Sequence, residues 1–165
     1  MNSPDSVHVV SNACPLILLS RIDRLDLLPK LFERITVPQN VLEEVTRPEK
    51  TKLHSLASAT WVKIQGHNPR EPLFLTLRGE VDAGEASAIT LASLQKADLL
   101  LIDERLGRRA ATRLGLTVKG TVGILIAAKR DGLLTALEPE LERLVDAGAW
   151  VSPKLIEAAL KSVDE

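Results

Sequence analysis

The feature that most constrains this chain is a short apolar segment, DLLLI at residues 98–102, followed directly by the acids Asp103 and Glu104. Four consecutive apolar residues between charged ones are typical of a strand that is buried on both faces. Such strands occur almost only in parallel sheets that helices cover. Four further segments are predicted to be strands: residues 7–11, 34–37, 61–65 (as an edge strand) and 116–120.

Between these segments the apolar residues recur at helical spacing. Helices are predicted at residues 15–32 (as two pieces), 38–45, 83–96, 103–115, 121–132, 138–148 and 152–162. Gly115 and Gly132 are expected just past helix ends, Ser152 is an expected N-cap, and residues 66–82 are predicted to be loop. The alternation predicts an α/β fold of three layers, α/β/α, around a mostly parallel sheet of four to five strands. We expect residues 1–165 to form one domain, with C-terminal helices at about residues 138–161 packed on it.

Composition excludes several classes of protein. A net charge of −1 excludes broad electrostatic attraction to nucleic acid, and 2% aromatic residues leave little for stacking bases. A single cysteine cannot form an intramolecular disulfide. The N-terminus lacks a basic region and an unbroken apolar run, so neither a signal peptide nor a membrane span is predicted, and a cytoplasmic location is expected.

Polar side chains follow the predicted strands where each strand ends. Asn12 follows the first strand, Asp103 and Glu104 follow residues 98–102, Glu85 begins the preceding helix, and Glu44 lies near the end of the helix at 38–45. Ligands in parallel α/β sheets bind beyond the carboxyl ends of the strands, so these side chains are expected to converge there. Oxygen ligands of this kind suit Mg²⁺ or Mn²⁺.

Each acid also has a structural interpretation. Glu85 and Glu104 could simply favour the positive end of a helix. Asp103 is the strongest functional candidate, because an acid at the end of a wholly apolar strand is expected to have little structural use.

A basic helix follows Asp103 directly. It carries Arg105, Arg108, Arg109 and Arg113. Arg105, Arg109 and Arg113 are four residues apart and therefore form one stripe on the helix. Beside carboxylates, this stripe is a candidate surface for the phosphates of RNA. The alternative is an ordinary solvated helix face.

Three motifs together resemble the PIN domain, in its branch of small prokaryotic PIN-like proteins. They read VVSNACPLI at residues 9–17, GEASAITLA at 84–92 with DLLLID at 98–103, and LGLTVKGTVGILIAAKRDGLL at 114–134. The resemblance runs from about residue 7 to residue 160. It implies a Rossmann-like fold and an endoribonuclease that depends on Mg²⁺ or Mn²⁺. Many such proteins are toxins that form homodimers and are held inactive by an antitoxin protein.

Carried over by position, the family's acids fall on Asn12, Glu44, Glu85 and Asp103. Glu104, which follows Asp103, is an accessory metal-ligand candidate from its place at the strand end and not from the family. Asn12 departs from the family, which usually has Asp there, so the resemblance implies weaker metal affinity. Cys14 replaces a small hydroxyl residue. It is interpreted as a small buried thiol in a tight turn, not as a nucleophile, because no histidine has a motif relation to it.

The amide at Asn12 also leaves open an alternative from another class. The chain would then be a catalytically weakened PIN-like module that binds RNA or a protein. A phosphoacceptor domain is disfavoured, because Asn12 cannot be phosphorylated.

Overall fold

A parallel five-stranded sheet lies at the centre of the computed structural model, which describes residues 6–165 apart from the side chains of residues 48–52. Its strands are β1 Val9–Ser11, β2 Ile35–Pro38, β3 Val62–Gln65, β4 Leu99–Leu101 and β5 Val118–Lys119. Their order is β3-β2-β1-β4-β5, and every neighbouring pair is parallel. The predicted α/β class is confirmed, as is the edge position of β3.

The helices surround this sheet. They are α1 Ala13–Arg21, α2 Leu27–Phe32, α3 Gln39–Val45, α4 Pro72–Leu77, α5 Ala83–Leu94, α6 Arg105–Arg113, α7 Thr121–Arg130, α8 Glu138–Asp146 and α9 Pro153–Lys161, with a 3₁₀ segment at Pro48–Ser58. Within the part of the chain that the structure describes, no helix is both long and apolar enough to cross a membrane.

Most predicted helix boundaries agree with the structure. Gly115 and Gly132 follow helix ends with φ of 80° and 75°, a conformation that glycine adopts without strain. Ser152 caps α9, because its hydroxyl accepts a hydrogen bond from the amide of Leu155. The loop predicted at residues 66–82 is wrong in part, because it contains α4. Pro72 at the first position of that helix was the available signal.

Successive residues of the central strands face opposite sides of the sheet. On one side Val9, Leu99 and Leu101 join a core with α1, α3, α7 and α8. On the other side, Val10 and Leu100 pack against α5 and α6. This alternation follows from the two-residue period of a strand, and it gives the three layers.

The strand order has a topological switch point between β1 and β4. The chain first builds β2 and β3 on one side of β1, and then places β4 and β5 on the other. The register pairs Ser11 with Leu101, so the carboxyl ends of β1 and β4 lie side by side. A crevice at such a switch point is where ligands bind in open α/β sheets.

One buried ion pair ties the C-terminal helices to this core. Glu140 of α8 is 3% exposed, and both of its carboxylate oxygens accept hydrogen bonds from the guanidinium of Arg24, at 2.6 and 3.0 Å. Arg24 follows α1, so the pair joins two segments that are distant in sequence. Arg143 adds a longer contact of 3.4 Å to Glu140.

We expect Arg24→Met to lower the free energy of unfolding by about 2 kcal/mol, because it leaves the Glu140 carboxylate buried without its main partner. Chemical denaturation at neutral pH measures this loss. Lys30→Met is the matched control, since Lys30 pairs with Asp26 in an exposed i,i+4 bridge, and such bridges contribute about 0.5 kcal/mol or less. Equal losses in the two variants would contradict this account.

Candidate functional site

Asn12 and Asp103 lie on the same edge of the sheet, just beyond β1 and β4. The amide of Asn12 donates to the carbonyl of Leu101 at 2.9 Å, which extends the pairing of β1 with β4 by one residue. Asn12 is 4% exposed. Although it directly precedes α1, its side chain does not cap that helix. A buried polar side chain therefore lies next to the switch region and makes no capping hydrogen bond to the helix behind it.

Asp103 has a structural partner that the sequence analysis missed. Its two carboxylate oxygens accept hydrogen bonds from the amide and the hydroxyl of Thr121, at 2.8 and 2.7 Å. Thr121 is the first residue of α7, so the carboxylate lies at the positive end of that helix. The premise that an acid here has little structural use is wrong. Asp103 joins the end of β4 to the start of α7, and this contact fixes its orientation.

Gly120 makes this arrangement possible. A methyl group added at Gly120 would lie 2.8 Å from Oδ1 of Asp103 and 2.9 Å from Nη1 of Arg108. Both distances are shorter than side chains tolerate, so any larger residue would displace the carboxylate or the guanidinium. Arg108 also donates to the carbonyl of Ile102 at 3.1 Å, which places its charge across the end of β4.

Cys14 lies beside Asp103 and is an inert thiol. Burial, followed by the negative charges of Asp103 and Glu104, raises the pKa of Cys14 to about 12. The thiol therefore stays protonated at neutral pH, as the sequence analysis expected. Its setting was predicted wrongly, however, because Cys14 is half-buried in the first turn of α1 and not in a tight turn.

A second group of acids surrounds the N-terminus of α5. Asp82 caps this helix by accepting a hydrogen bond from the amide of Glu85 at 2.8 Å, and the Glu85 carboxylate is in turn hydrogen-bonded to the backbone of Asp82. This reciprocal pair is a capping box. A methyl group added at Gly84 would lie 3.3 Å from Oε2 of Glu44 and 3.5 Å from Oδ1 of Asp82. Three carboxylates thus meet at one helix end, which we call the α5 acid cluster.

Glu85 is the most perturbed member of this cluster. It is 7% exposed, and its Oε2 lies 3.5 Å from where a methyl group at Gly107 of α6 would be. Burial, then the negative charges of Asp82, Glu104 and Glu44, raises the pKa of Glu85 to about 7. Helix α5 therefore holds a carboxylate among others of the same charge, a placement that favours either a proton or a cation.

Glu104 connects the two groups of acids. It is exposed, its charge acts on both Cys14 and Glu85, and it lines both the cavity that contains Asp103 and the one that contains Glu85. The predicted site residues therefore share one edge of the sheet but form two neighbouring groups, one at Asp103 and one at Glu85.

The donor chemistry of this edge fits a hard divalent cation. The ligands available are carboxylate and amide oxygens, and the pKa of Glu85 is raised by burial and then by the negative charges of its neighbours. Over residues 6–165, leaving aside the side chains of 48–52, no three His, Cys, Asp or Glu side chains are grouped closely enough to hold a metal as they stand. To bind one metal ion, these side chains would have to rotate towards one another. The long side chains of Glu44, Glu85 and Glu104 permit this more readily than Asp103, which is hydrogen-bonded to Thr121.

The four predicted arginines have different environments. Arg105 and Arg109 are exposed on α6, whereas Arg108 is half-buried beside Asp103. Arg113 is engaged in an exposed ion pair with Glu80. Arg113 is thus engaged elsewhere, and the exposed positive charge of the stripe comes from Arg105 and Arg109, towards the end of α6 that is nearer the acids.

Three functional positions were not singled out from the sequence. Asp82 was recognisable, because D-x-x-E before an apolar run is a capping-box signature. Gly120 and Thr121 lie within the motif at 114–134, but the motif does not show their contact with Asp103, which depends on β4 and β5 lying side by side. Spacing along the chain does not reveal that contact.

A hydrogen-bonded chain holds α5 against α3. Asn40 of α3 donates to the hydroxyl of the buried Ser87 at 2.8 Å, and that hydroxyl contacts Nε2 of His67 at 2.7 Å. Because α3 carries Glu44 and α5 carries Glu85, these contacts fix the distance between two members of the acid set.

The family model DUF3368, described as a PIN domain, matches residues 8–165. Neither the curated proteins nor the solved structures gave a match.

The raised pKa of Glu85 makes stability depend on pH in a defined direction. Between a pKa near 4.5 in the unfolded chain and about 7 in the folded one, the folded state binds the extra proton, so stability falls as pH rises through this range. Glu85→Gln keeps the capping box but removes the charge. With EDTA present at pH 8, we expect the variant to be more stable than the wild type by about 2–3 kcal/mol.

Thermal unfolding at pH 4 and pH 8 measures this difference, which should vanish at the lower pH. Glu142→Gln, on the exposed side of α8, is the control and should change neither value. Equal destabilisation by Glu85→Gln at both pH values would contradict the assignment.

Proposed function

The chain belongs to the PIN-domain family, and from this premise we propose that it is an endoribonuclease that depends on a divalent metal, Mg²⁺ or Mn²⁺. PIN domains are nuclease-like modules that generally use divalent metals. The observation that carries the proposal is the α5 acid cluster, which lies with Asp103 at the switch point between β1 and β4.

Asp103, Glu85 and Glu44 would hold the cation, with Asn12 and Glu104 supplying further oxygens. The bound cation would supply a Lewis acid that activates water for in-line attack on a phosphodiester. Thr121 holds Asp103 in a single orientation, so this carboxylate serves as the fixed point of the site. Glu85, whose pKa is about 7, would exchange its proton for the cation near neutral pH.

The arginines of α6 would bind the RNA backbone. Arg105 and Arg109 are exposed, and phosphate contacts of this kind position a nucleic acid without reading its sequence. Arg108 lies beside Asp103, where its charge would stabilise the negative charge that develops on the phosphate. Arg113 would contribute least, since it already pairs with Glu80.

The biological setting that we propose follows the family resemblance. The protein would act in the cytoplasm as a homodimer, as the toxin of a toxin–antitoxin pair whose antitoxin protein blocks the site. A small open reading frame adjoining its gene would support this setting.

A second candidate function is favoured by one position. Asn12 contributes no negative charge where an acid would be expected, and both oxygens of Asp103 already accept hydrogen bonds from Thr121. On this account the protein is a weakened enzyme that binds RNA or a partner protein through α6. Binding would then survive Asp103→Ala and weaken in Arg109→Glu.

Cleavage of a labelled single-stranded RNA distinguishes the two candidates. With Mg²⁺ or Mn²⁺ we expect the wild type to cut, and Asp103→Ala to lower the rate at least about 100-fold, because the fixed ligand is lost. Asn12→Asp should raise the rate, since it adds a charge beside Asp103. Gel analysis of the products over time measures all three rates.

Glu142→Gln removes an exposed acid away from the site and should cleave at the wild-type rate. EDTA should abolish cleavage by every variant. Cleavage that persists in EDTA or in Asp103→Ala would contradict the proposed mechanism. Cleavage by Asn12→Asp alone would show that the native protein is the weakened module.

A further inference from the structure

Trp150 is 89% exposed, and it lines the same cavity as Asp103. All four aromatic residues of the chain other than histidine lie in the described part, and the other three are at least partly buried. We propose that Trp150 stacks against an unpaired base of the RNA and thereby positions single-stranded substrate in the cleft. This inference rests on the proposed nuclease function and names its substrate class.

The backbone around Trp150 is fixed, so the exposure of the ring is a property of the fold. Helix α8 ends at Asp146, Gly148 just beyond it has a φ of 97°, and the amide of Ala149 donates back to the carbonyl of Leu144 at 3.1 Å. Ala149 and Val151 both pack on the hydrophobic core. Both neighbours pack inward while Trp150 stays exposed, so its ring is directed away from the core.

The cavity has the charge that a nucleic acid requires. It has a volume of about 940 Å³, and its charged lining consists of the acids Asp103 and Glu104 and the basic residues Arg21, Arg105, Arg108 and Lys119. This volume lies near the upper end of the range for small-ligand and cofactor sites, roughly 300–1,000 Å³. Basic groups would bind the phosphates, while the exposed aromatic face offers apolar contact to a base.

A base explains this combination better than a protein partner does. Exposed hydrophobic residues alone are ordinary on protein surfaces, but this one shares a cleft with four basic side chains and the two acids that follow β4. Base faces are accessible only where the nucleic acid is unpaired, so the proposal specifies single strands and excludes duplex. Stacking tolerates every base, so we expect little sequence preference from Trp150.

Fluorescence of the protein tests this contact directly. Trp61 contributes background from the opposite edge of the sheet, where β3 begins, so Trp61→Phe leaves Trp150 as the one reporter. In EDTA, where no cleavage is expected, a ten-nucleotide oligouridylate should quench this reporter. Trp150→Phe, which leaves only Trp61, is the matched control and should show no quenching.

Affinity for the same labelled RNA, measured by anisotropy, gives the second readout. We expect Trp150→Ala to bind roughly 5- to 100-fold more weakly than the wild type, and Trp150→Phe to stay within about 3-fold, because phenylalanine keeps an aromatic face. An abasic oligomer with the same phosphates should bind the wild type and Trp150→Ala equally.

Unchanged RNA affinity in Trp150→Ala, or an equal loss for the abasic oligomer, would overturn the proposal. A change in sedimentation with unchanged RNA affinity would instead place Trp150 at a contact between copies of the chain, and would also overturn it. If the RNA binds and quenches but is never cut with metal, the nuclease function fails while the stacking contact stands.

Discussion

The burial of the Glu85 carboxylate beside other acids at the start of α5 is the constraint on which the account of this protein depends. Glu85 is nearly inaccessible to solvent, yet Asp82, Glu104 and Glu44 all act on it with the same charge. The fold offsets part of this cost through the capping box and through the positive end of α5. The absence of side chains at Gly84 and Gly107 allows the neighbouring groups to approach. The part of this cost that the fold does not offset favours the binding of a proton or a cation.

Asp103 shows how the same edge of the sheet combines stability with the proposed chemistry. Its carboxylate joins β4 to α7 through Thr121, and the glycine before Thr121 leaves room for it. A carboxylate fixed in this way has little freedom to reorganise, which suits a residue meant to orient a ligand. The same contact means that a change at Asp103 will disturb the start of α7, so a loss of activity must be read beside a measurement of stability.

Much of the fold could be predicted from the sequence, because its signals are local. The apolar segment at 98–102 and the β-branched runs have the composition of buried strands, and the glycines at 115 and 132 mark helix ends. Helix α4 was missed because it is short and lies in a segment rich in glycine and proline. The edge that carries the acids followed from the rule for parallel sheets. The hydrogen bonds of Asp103 to Thr121, and the helical setting of Cys14, depend on neighbours that spacing does not identify. The metal ligands were assigned through the family resemblance, and they remain a proposal.

Calorimetric titration of Mn²⁺ into the purified protein at pH 8, where Glu85 is ionised, tests the central claim most directly. The account predicts saturable binding to the wild type, tighter binding to Asn12→Asp because it adds a negative charge, and much weaker binding to Asp103→Ala. Circular dichroism of each variant would establish that it is folded. No heat of binding with Mn²⁺ or Mg²⁺ in any of the three proteins would contradict the claim that these acids form a metal site.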